Sequence, residues 1–187
     1  PSGSAHNYLD ISNCFTSAYD DYTVLFNVYN GSTSTGNSIL CLAYEKSGAS
    51  LSGVNGEFVS GTYSEGSNSK LRYAQLQSTS DGVIQASYNY PKLMGNPGSG
   101  YTAGQIGYRG SVLLNDVYNT STKTGNGQGI FLYGSSDSYL EDFGFKTTVT
   151  MPGRGLRMWY GVDQTANGTV GTTIYGTVQV YGMLRGF

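Results

Sequence analysis

The chain has 187 residues, a formal net charge of −2 and 12% charged residues, about half of the usual ~25%. Low charge together with 28 glycines and 17 tyrosines excludes an intrinsically disordered chain, which would be highly charged and poor in aromatic residues. The ten basic residues are dispersed, so no run of Lys and Arg offers the basic surface that nucleic acid requires. No apolar stretch reaches 18 residues, and we therefore expect no membrane-spanning helix.

The predicted secondary structure consists of β-strands. The clearest early strand covers residues 22–29 and is followed by the turn signal Asn30-Gly31. Residues 177–182 alternate polar or aromatic with small or aliphatic side chains, the two-residue period of a strand with one buried face. In chain order we predict strands at residues 22–29, 38–45, 57–63, 70–77, 83–88, 104–114, 129–133, 143–151 and 156–162, and a closing strand from residue 173. Residues 91–100 and 119–129 are predicted loops.

The pattern predicts one all-β domain over residues 1–187. No apolar period of 3.6 residues extends over the length of a helix, and no linker or composition break divides the chain. We expect a jelly-roll-like antiparallel β-sandwich of about ten strands with long loops. The alternative is a closed barrel, but unequal strand spacing and long crossing loops favour Greek-key connections.

We predict no metal site, and cysteine and histidine are too scarce for the common zinc sites. Cys14 and Cys41 are the two cysteines and His6 is the single histidine, which rules out the common zinc patterns. Cys41 lies in an apolar run, so a buried free thiol is expected there. A disulfide between the two cysteines is left open, because spacing alone does not establish its geometry.

The chain shows no convincing catalytic motif, and we predict no catalytic residue and no cofactor. In the acidic pairs Asp20-Asp21 and Glu141-Asp142, strand neighbours point to opposite faces, so neither pair supplies two convergent carboxylates. Residues 125–129 form a glycine-rich run that lacks the lysine and the helix start of a phosphate loop, and we predict a hairpin tip. A Ser-His-Asp triad would need His6 as its base, and no Gly-x-Ser-x-Gly motif is present.

Four tyrosines flank the predicted loop at residues 91–100. Tyr88, Tyr90, Tyr101 and Tyr108 are candidate contacts with a glycan or a partner, because aromatic rings around an exposed loop can stack on sugars. The alternative is that these rings pack beneath the loop or against a neighbouring subunit.

Three stretches resemble a domain that recurs in structural proteins of tailed bacteriophages, especially those of cyanobacterial and other marine phages. The first is Leu9-Asp-Ile-Ser12 followed by Tyr19-Asp-Asp-Tyr-Thr-Val-Leu-Phe26. The second is the glycine-led strand with its Asn-rich turn at residues 110–124, and the third is the closing segment at residues 167–183. The stretches lie in the same order as in the family and span nearly the whole chain, although residues 47–104 show no clear match.

The resemblance implies a β-sandwich that forms a homotrimer on the virion surface, as a fibre knob, capsid fibre or capsid decoration protein. Its expected partners are copies of itself and other virion proteins, such as the major capsid protein or a fibre. The family carries no catalytic residues that could be assigned to positions in this chain.

Two other functions are considered. The chain could be a receptor-binding module of a tail fibre or spike that recognises host surface polysaccharide through the tyrosine-flanked loop. It could also be a polysaccharide-degrading enzyme with carboxylates from different strands. The enzyme is the less favoured, because the twelve acidic residues form no pair placed by a motif.

Overall fold

The computed structural model describes residues 8–31, 39–46, 63–66, 70–72, 75–77, 84–88, 93, 106–120, 122–133, 137–147, 152–161 and 173–184. Every regular element in these ranges is a β-strand, and every strand pairing is antiparallel. The strands are β1 (Leu9–Ile11), β2 (Asp21–Asn30), β3 (Ile39–Lys46), β4 (Tyr63–Gly66), β5 (Lys70–Arg72), β6 (Gln75–Gln77), β7 (Ile84–Tyr88), β8 (Ile106–Asn115), β9 (Thr124–Tyr133), β10 (Asp137–Thr147), β11 (Gly153–Gly161) and β12 (Ile174–Met183). The all-β antiparallel prediction is confirmed, whereas the jelly-roll connectivity stays a prediction.

The strands form two sheets. In the larger sheet the order is β12-β2-β8-β9-β10-β4-β7, and β5 pairs with β10 and β6. In the smaller sheet β11 lies between β1 and β3. Five neighbouring strands of the larger sheet, β12, β2, β8, β9 and β10, are paired over nine or ten residues each.

The core lies between the two sheets. On β2, Tyr22, Val24, Phe26 and Val28 are buried and alternate with more exposed residues, as the two-residue period predicts. Buried apolar residues also come from the other sheet: Leu40, Leu42 and Tyr44 on β3 and Leu156, Met158 and Tyr160 on β11.

A side-chain hydrogen bond between described residues joins the two sheets directly. The hydroxyl of Tyr160 on β11 donates to the carbonyl oxygen of Val28 on β2 at 3.4 Å. Phe15, in the connection between β1 and β2, contacts rings of both sheets, with centroids 4.7 Å from Tyr22 and 6.2 Å from Tyr44. The two sheets therefore share one core, as in a β-sandwich.

The predicted hairpin tip at residues 125–129 is wrong. These residues lie inside β9 and pair with β8 on one side and β10 on the other. Gly125, Gly127 and Gly129 alternate toward the core, where they leave room for aromatic rings of the neighbouring strands. Glycine is depleted in strands, so its abundance here favoured a loop over the strand that the tertiary packing stabilises.

Several strand boundaries also differ from prediction. β9 begins at Thr124 rather than at residue 129, and β10 covers Asp137–Thr147 rather than residues 143–151. The single strand predicted at residues 70–77 is divided into β5 and β6, which pair with each other. Of the strand predicted at residues 57–63, only its last residue lies in the described ranges, where it begins β4.

A partly buried ion pair attaches the N-terminal strand to the smaller sheet. The guanidinium of Arg157 on β11 is fully buried and donates from Nε and Nη2 to the two carboxylate oxygens of Asp10 on β1, both at 2.6 Å. The ring of Tyr8 lies 3.6 Å from the guanidinium carbon. This two-point contact and the ring stacking hold β1 in register at the edge of the sheet.

Cys14 carries a free thiol, so the disulfide left open by the sequence is absent there. Burial raises the pKa of Cys14 to about 12, which disfavours its thiolate. The side chain of Cys41 lies outside the described part of the structure.

Candidate interaction surface

The five long strands of the larger sheet expose one broad surface, which we call the outer face. It is formed by the odd-numbered residues of β12 (175–183), β2 (21–29) and β8 (109–115) and the even-numbered residues of β9 (124–130) and β10 (140–146). The strand register places these residues side by side on the surface opposite the core.

Large apolar side chains are exposed on the outer face. Leu25 on β2 is 40% exposed, Ile130 on β9 is 46% exposed and Tyr181 on β12 is 50% exposed. Of the odd- or even-numbered strand residues that define the face, only four are charged: Asp21, Arg109, Asp142 and Lys146. Apolar groups with few charges are typical of the buried centre of a protein–protein interface.

Arg109 is held in place by two neutral partners. It lies opposite Asn27 in the β2–β8 pairing, and its Nε donates to Oδ1 of Asn27 at 3.1 Å. Its Nη2 donates to the hydroxyl of Tyr29, also at 3.1 Å. The exposed guanidinium is therefore oriented by hydrogen bonds, while no described carboxylate forms an ion pair with it.

Next to Arg109, a pair of stacked aromatic rings connects β2 and β12. Tyr29 and Tyr175 are cross-strand partners, with ring centroids 5.4 Å apart and planes inclined by 17°. Gly31 lies against the Tyr175 ring, since a Cβ at Gly31 would come within 3.2 Å of Cδ1 of Tyr175 and 2.6 Å of Oγ1 of Thr173. The ring pair thus depends on a small residue at the end of β2.

The carboxylates of the outer face differ in their surroundings. Oδ1 of Asp21 accepts a hydrogen bond from the backbone N–H of Asp116 at 3.3 Å. Asp142 is partly buried, and its Oδ1 is buried without a hydrogen-bond partner in the described part of the chain. In the register, Asp21 and Asp142 are three strands and four residues apart, a separation of roughly 20 Å. This distance is too long for the two carboxylates of a glycosidase.

The tyrosines predicted from the sequence do not converge in the described structure. Tyr108 is fully buried, and its ring stacks on Phe26 with centroids 6.3 Å apart. It is therefore a core residue and not a rim contact, because its place on β8 points to the smaller sheet. Tyr90 and Tyr101 lie outside the described residues, as does the side chain of Tyr88 at the end of β7.

Sequence reasoning missed the cluster of Tyr29, Arg109 and Tyr175. The predicted strands contained all three residues. Alternate residues of a strand point to opposite faces, so the sequence could have assigned each residue to one of two faces. Which face is buried, and which residues are neighbours across strands, depends on the β12-β2-β8 order and its register.

Within the described ranges, no group of three or more His, Cys, Asp or Glu residues lies close enough to hold a metal ion. The same ranges contain no helix of the length and hydropathy that crossing a membrane requires.

Comparison with known proteins yields no relative: no family model, no curated protein and no solved structure matches this chain.

Proposed function

We propose that this protein is a non-enzymatic structural component of a phage virion surface, a capsid decoration protein or fibre knob that associates with copies of itself. The observation that carries the proposal is the outer face, where Leu25, Ile130 and Tyr181 are exposed on a surface with few charges. Leu25 and Tyr181 lie on adjacent strands, and exposed apolar residues on a face with few charges favour contact with another protein.

The size of the outer face supports a stable contact. Five strands spaced by about 4.8 Å and ten residues long at about 3.4 Å per residue give a surface of roughly 800 Å². A standard protein–protein interface buries about 800 Å² per partner. The face is large enough for a specific interface without further elements.

The virion location and the number of copies come from the resemblance. The motifs at residues 9–26, 110–124 and 167–183 suggest a trimer that contacts a coat or fibre protein. An assembled surface protein acts through rigid contacts, and the cross-strand clusters on the outer face suit that role.

Light scattering coupled to size-exclusion chromatography tests self-association. We expect the purified chain to form a trimer at micromolar concentration and Ile130→Asp to elute as a monomer, because a charge at an exposed apolar position of the interface would be desolvated. Leu184→Asp is the matched control: Leu184 is 72% exposed beyond the end of β12, and its substitution should leave the trimer intact.

A wild-type chain that stays monomeric over the whole concentration range would refute self-association. The virion location has its own test, the identification of density for this chain in an image reconstruction of intact particles. Density at a capsid or fibre surface is expected, and its absence from the particle would refute the location.

A further inference from the structure

We propose that one corner of the outer face binds an acidic saccharide and that Arg109 holds the carboxylate of this ligand. The corner, which we call the Arg109 patch, lies where β2 ends and β12 begins and consists of Tyr29, Tyr175, Asn27, Thr177 and Arg109. The inference goes beyond the proposed function, because it assigns a ligand to the protein and not a position in a particle.

Arg109 supplies the positive charge that a carboxylate needs. The side chain is exposed, and its Nε and Nη2 each use one N–H donor, on Oδ1 of Asn27 and on the hydroxyl of Tyr29. A guanidinium has five N–H donors, so one on Nη2 and two on Nη1 remain for a ligand. Both protein partners are neutral, and no described carboxylate forms an ion pair with Arg109. An oriented, exposed guanidinium of this kind favours two-point binding of a carboxylate.

A row of polar side chains extends from Arg109 across three strands. Thr177 on β12 lies opposite Asn27 on β2, and Asn27 lies opposite Arg109 on β8. Thr177 is exposed. Asn27 uses Oδ1 for Arg109, while its Nδ2 has no hydrogen-bond partner in the described part of the chain. With strands spaced by about 4.8 Å, the row is about 10 Å long. It places a hydroxyl and an amide beside the guanidinium, where both can bond to sugar hydroxyls.

Two tyrosine rings form the next outward-facing row. Tyr29 and Tyr175 are half-buried, their ring centroids lie 5.4 Å apart and their planes are inclined by 17°. This row is two residues from the polar row on each strand, a distance of about 7 Å. Aromatic rings offer an apolar surface to the C–H groups of a sugar ring, and tyrosine adds a polar hydroxyl at its tip. Apolar rings, neutral donors and one oriented cation therefore lie within an area comparable with a disaccharide.

The charge of the face favours a saccharide with isolated carboxylates over a nucleic acid or another polyphosphate. A polyphosphate is bound by several clustered basic residues. Lys146 is the other cation among the strand residues that define the outer face, and the register places it two strands and six residues from Arg109, about 20 Å away. A single guanidinium among neutral donors suits a ligand with one carboxylate among many hydroxyls.

The patch borders the apolar residues that carry the proposed self-association. Leu25 lies one outward-facing row beyond the polar row, and Tyr181 lies two rows beyond it, toward the other end of the β2–β12 pair. Ile130 lies next to Arg109 on the side away from the patch. The Arg109 patch is therefore at the margin of the self-contact and not at its centre, and saccharide binding by the associated protein is part of the test.

Isothermal titration calorimetry of the purified chain tests the ligand class. The probes are oligogalacturonate, oligomannuronate and hyaluronan fragments, each compared with its carboxyl-reduced form, which keeps the linkages and loses the charge. We expect at least one acidic probe to bind about tenfold more tightly than its reduced form, and Arg109→Gln to remove this preference. Tyr175→Ala should weaken binding about fivefold through loss of the stacking surface. Lys146→Gln is the matched control, because it removes an exposed cation elsewhere on the face, and should change the affinity less than about twofold.

The possible results separate this inference from the proposed function. Failure of all three acidic probes to bind would overturn it, and so would equal affinity for the reduced forms or for Arg109→Gln. Tryptophan fluorescence confirms that each variant is folded.

Light scattering in the titration buffer reports the number of copies at each concentration. Binding that is lost when the chain associates would show that the self-contact covers the patch, and would refute the inference for the assembled protein. A wild type that stays monomeric and binds an acidic probe would support the patch while refuting self-association.

Discussion

Lys123 is a fully buried cation next to the turn that connects β8 to β9. Its Nζ donates to the carbonyl oxygen of Asn119 at 3.2 Å. Burial lowers the pKa of Lys123 to about 8, and the nearby carboxylate of Asp116 opposes part of this shift. The ammonium therefore loses its proton in the folded protein at a pH where the unfolded chain keeps it.

This difference predicts a stability that rises with pH. Below pH 8 Lys123 is protonated in both states, whereas between pH 8 and the ordinary pKa of 10.5 the unfolded chain binds the extra proton. The free energy of unfolding should increase by roughly 1 kcal/mol between pH 7.5 and 9. Urea denaturation at a series of pH values measures this slope, and Lys123→Met should abolish it.

The urea series stays between about pH 7.5 and 9 because, at higher pH, the ionisation of other groups lowers the free energy of unfolding. The pKa of Cys14 is raised by burial to about 12, and that of Tyr160 is raised well above its ordinary value, also by burial. Each keeps its proton in the folded state after the unfolded chain has lost it, so stability falls above about pH 9. An equal slope in wild type and Lys123→Met would show that Lys123 is not the cause.

At the scale of the element, β9 is a strand formed against its own propensity. Its inward-facing Gly125, Gly127 and Gly129 leave the space that Phe143, Phe145 and Tyr108 occupy. Burial of these rings offsets the unfavourable glycines, because an aromatic side chain removes a large apolar area from water. β9 forms because aromatic side chains of the neighbouring strands β8 and β10 cover its glycines.

We predict that Gly127→Ala destabilises the fold by about 3 kcal/mol. Its Cβ would lie 2.7 Å from Cζ of Phe143 and collide with the carbonyl oxygen of Ser111, so backbone and ring would both have to shift. Gly144→Ala on β10 is the control, because its Cβ would be 3.7 Å from the carbonyl oxygen of Gly125, an ordinary contact. Thermal or urea denaturation of the two variants should differ clearly, with Gly144→Ala within about 0.5 kcal/mol of wild type. Similar losses in both variants would contradict the packing explanation.

At the scale of the whole molecule, the two sheets depend on each other. The inward residues of β11 pack in the same cluster as those of β2, and Tyr160 bonds the two strands across the core. Trp159, the single tryptophan of the chain, is fully buried on β11 and reports on the smaller sheet. Loss of one sheet would expose the apolar face of the other, so partial unfolding is unfavourable.

We therefore expect a single cooperative unfolding transition. Tryptophan fluorescence, which follows the smaller sheet, and far-ultraviolet circular dichroism, to which the larger sheet contributes most, should give the same midpoint in urea. The comparison is made on Ile130→Asp as well as on wild type, so that subunit dissociation is not mistaken for unfolding. Two separate midpoints in the monomeric variant would show that the sheets are independently stable.

The local pattern by itself determined the all-β class and most strand positions, because the alternation of residues along β2 and β12 is a property of each segment alone. The composition is rich in tyrosine, but it does not give the role of each ring: Tyr108 was a candidate contact flanking a loop and lies in the core. The strand at residues 125–129 and the contact of Tyr29 with Arg109 and Tyr175 follow from the tertiary structure alone. Both depend on strand order and register, which bring together residues distant in the chain and are set by the packing of two faces rather than by any single segment.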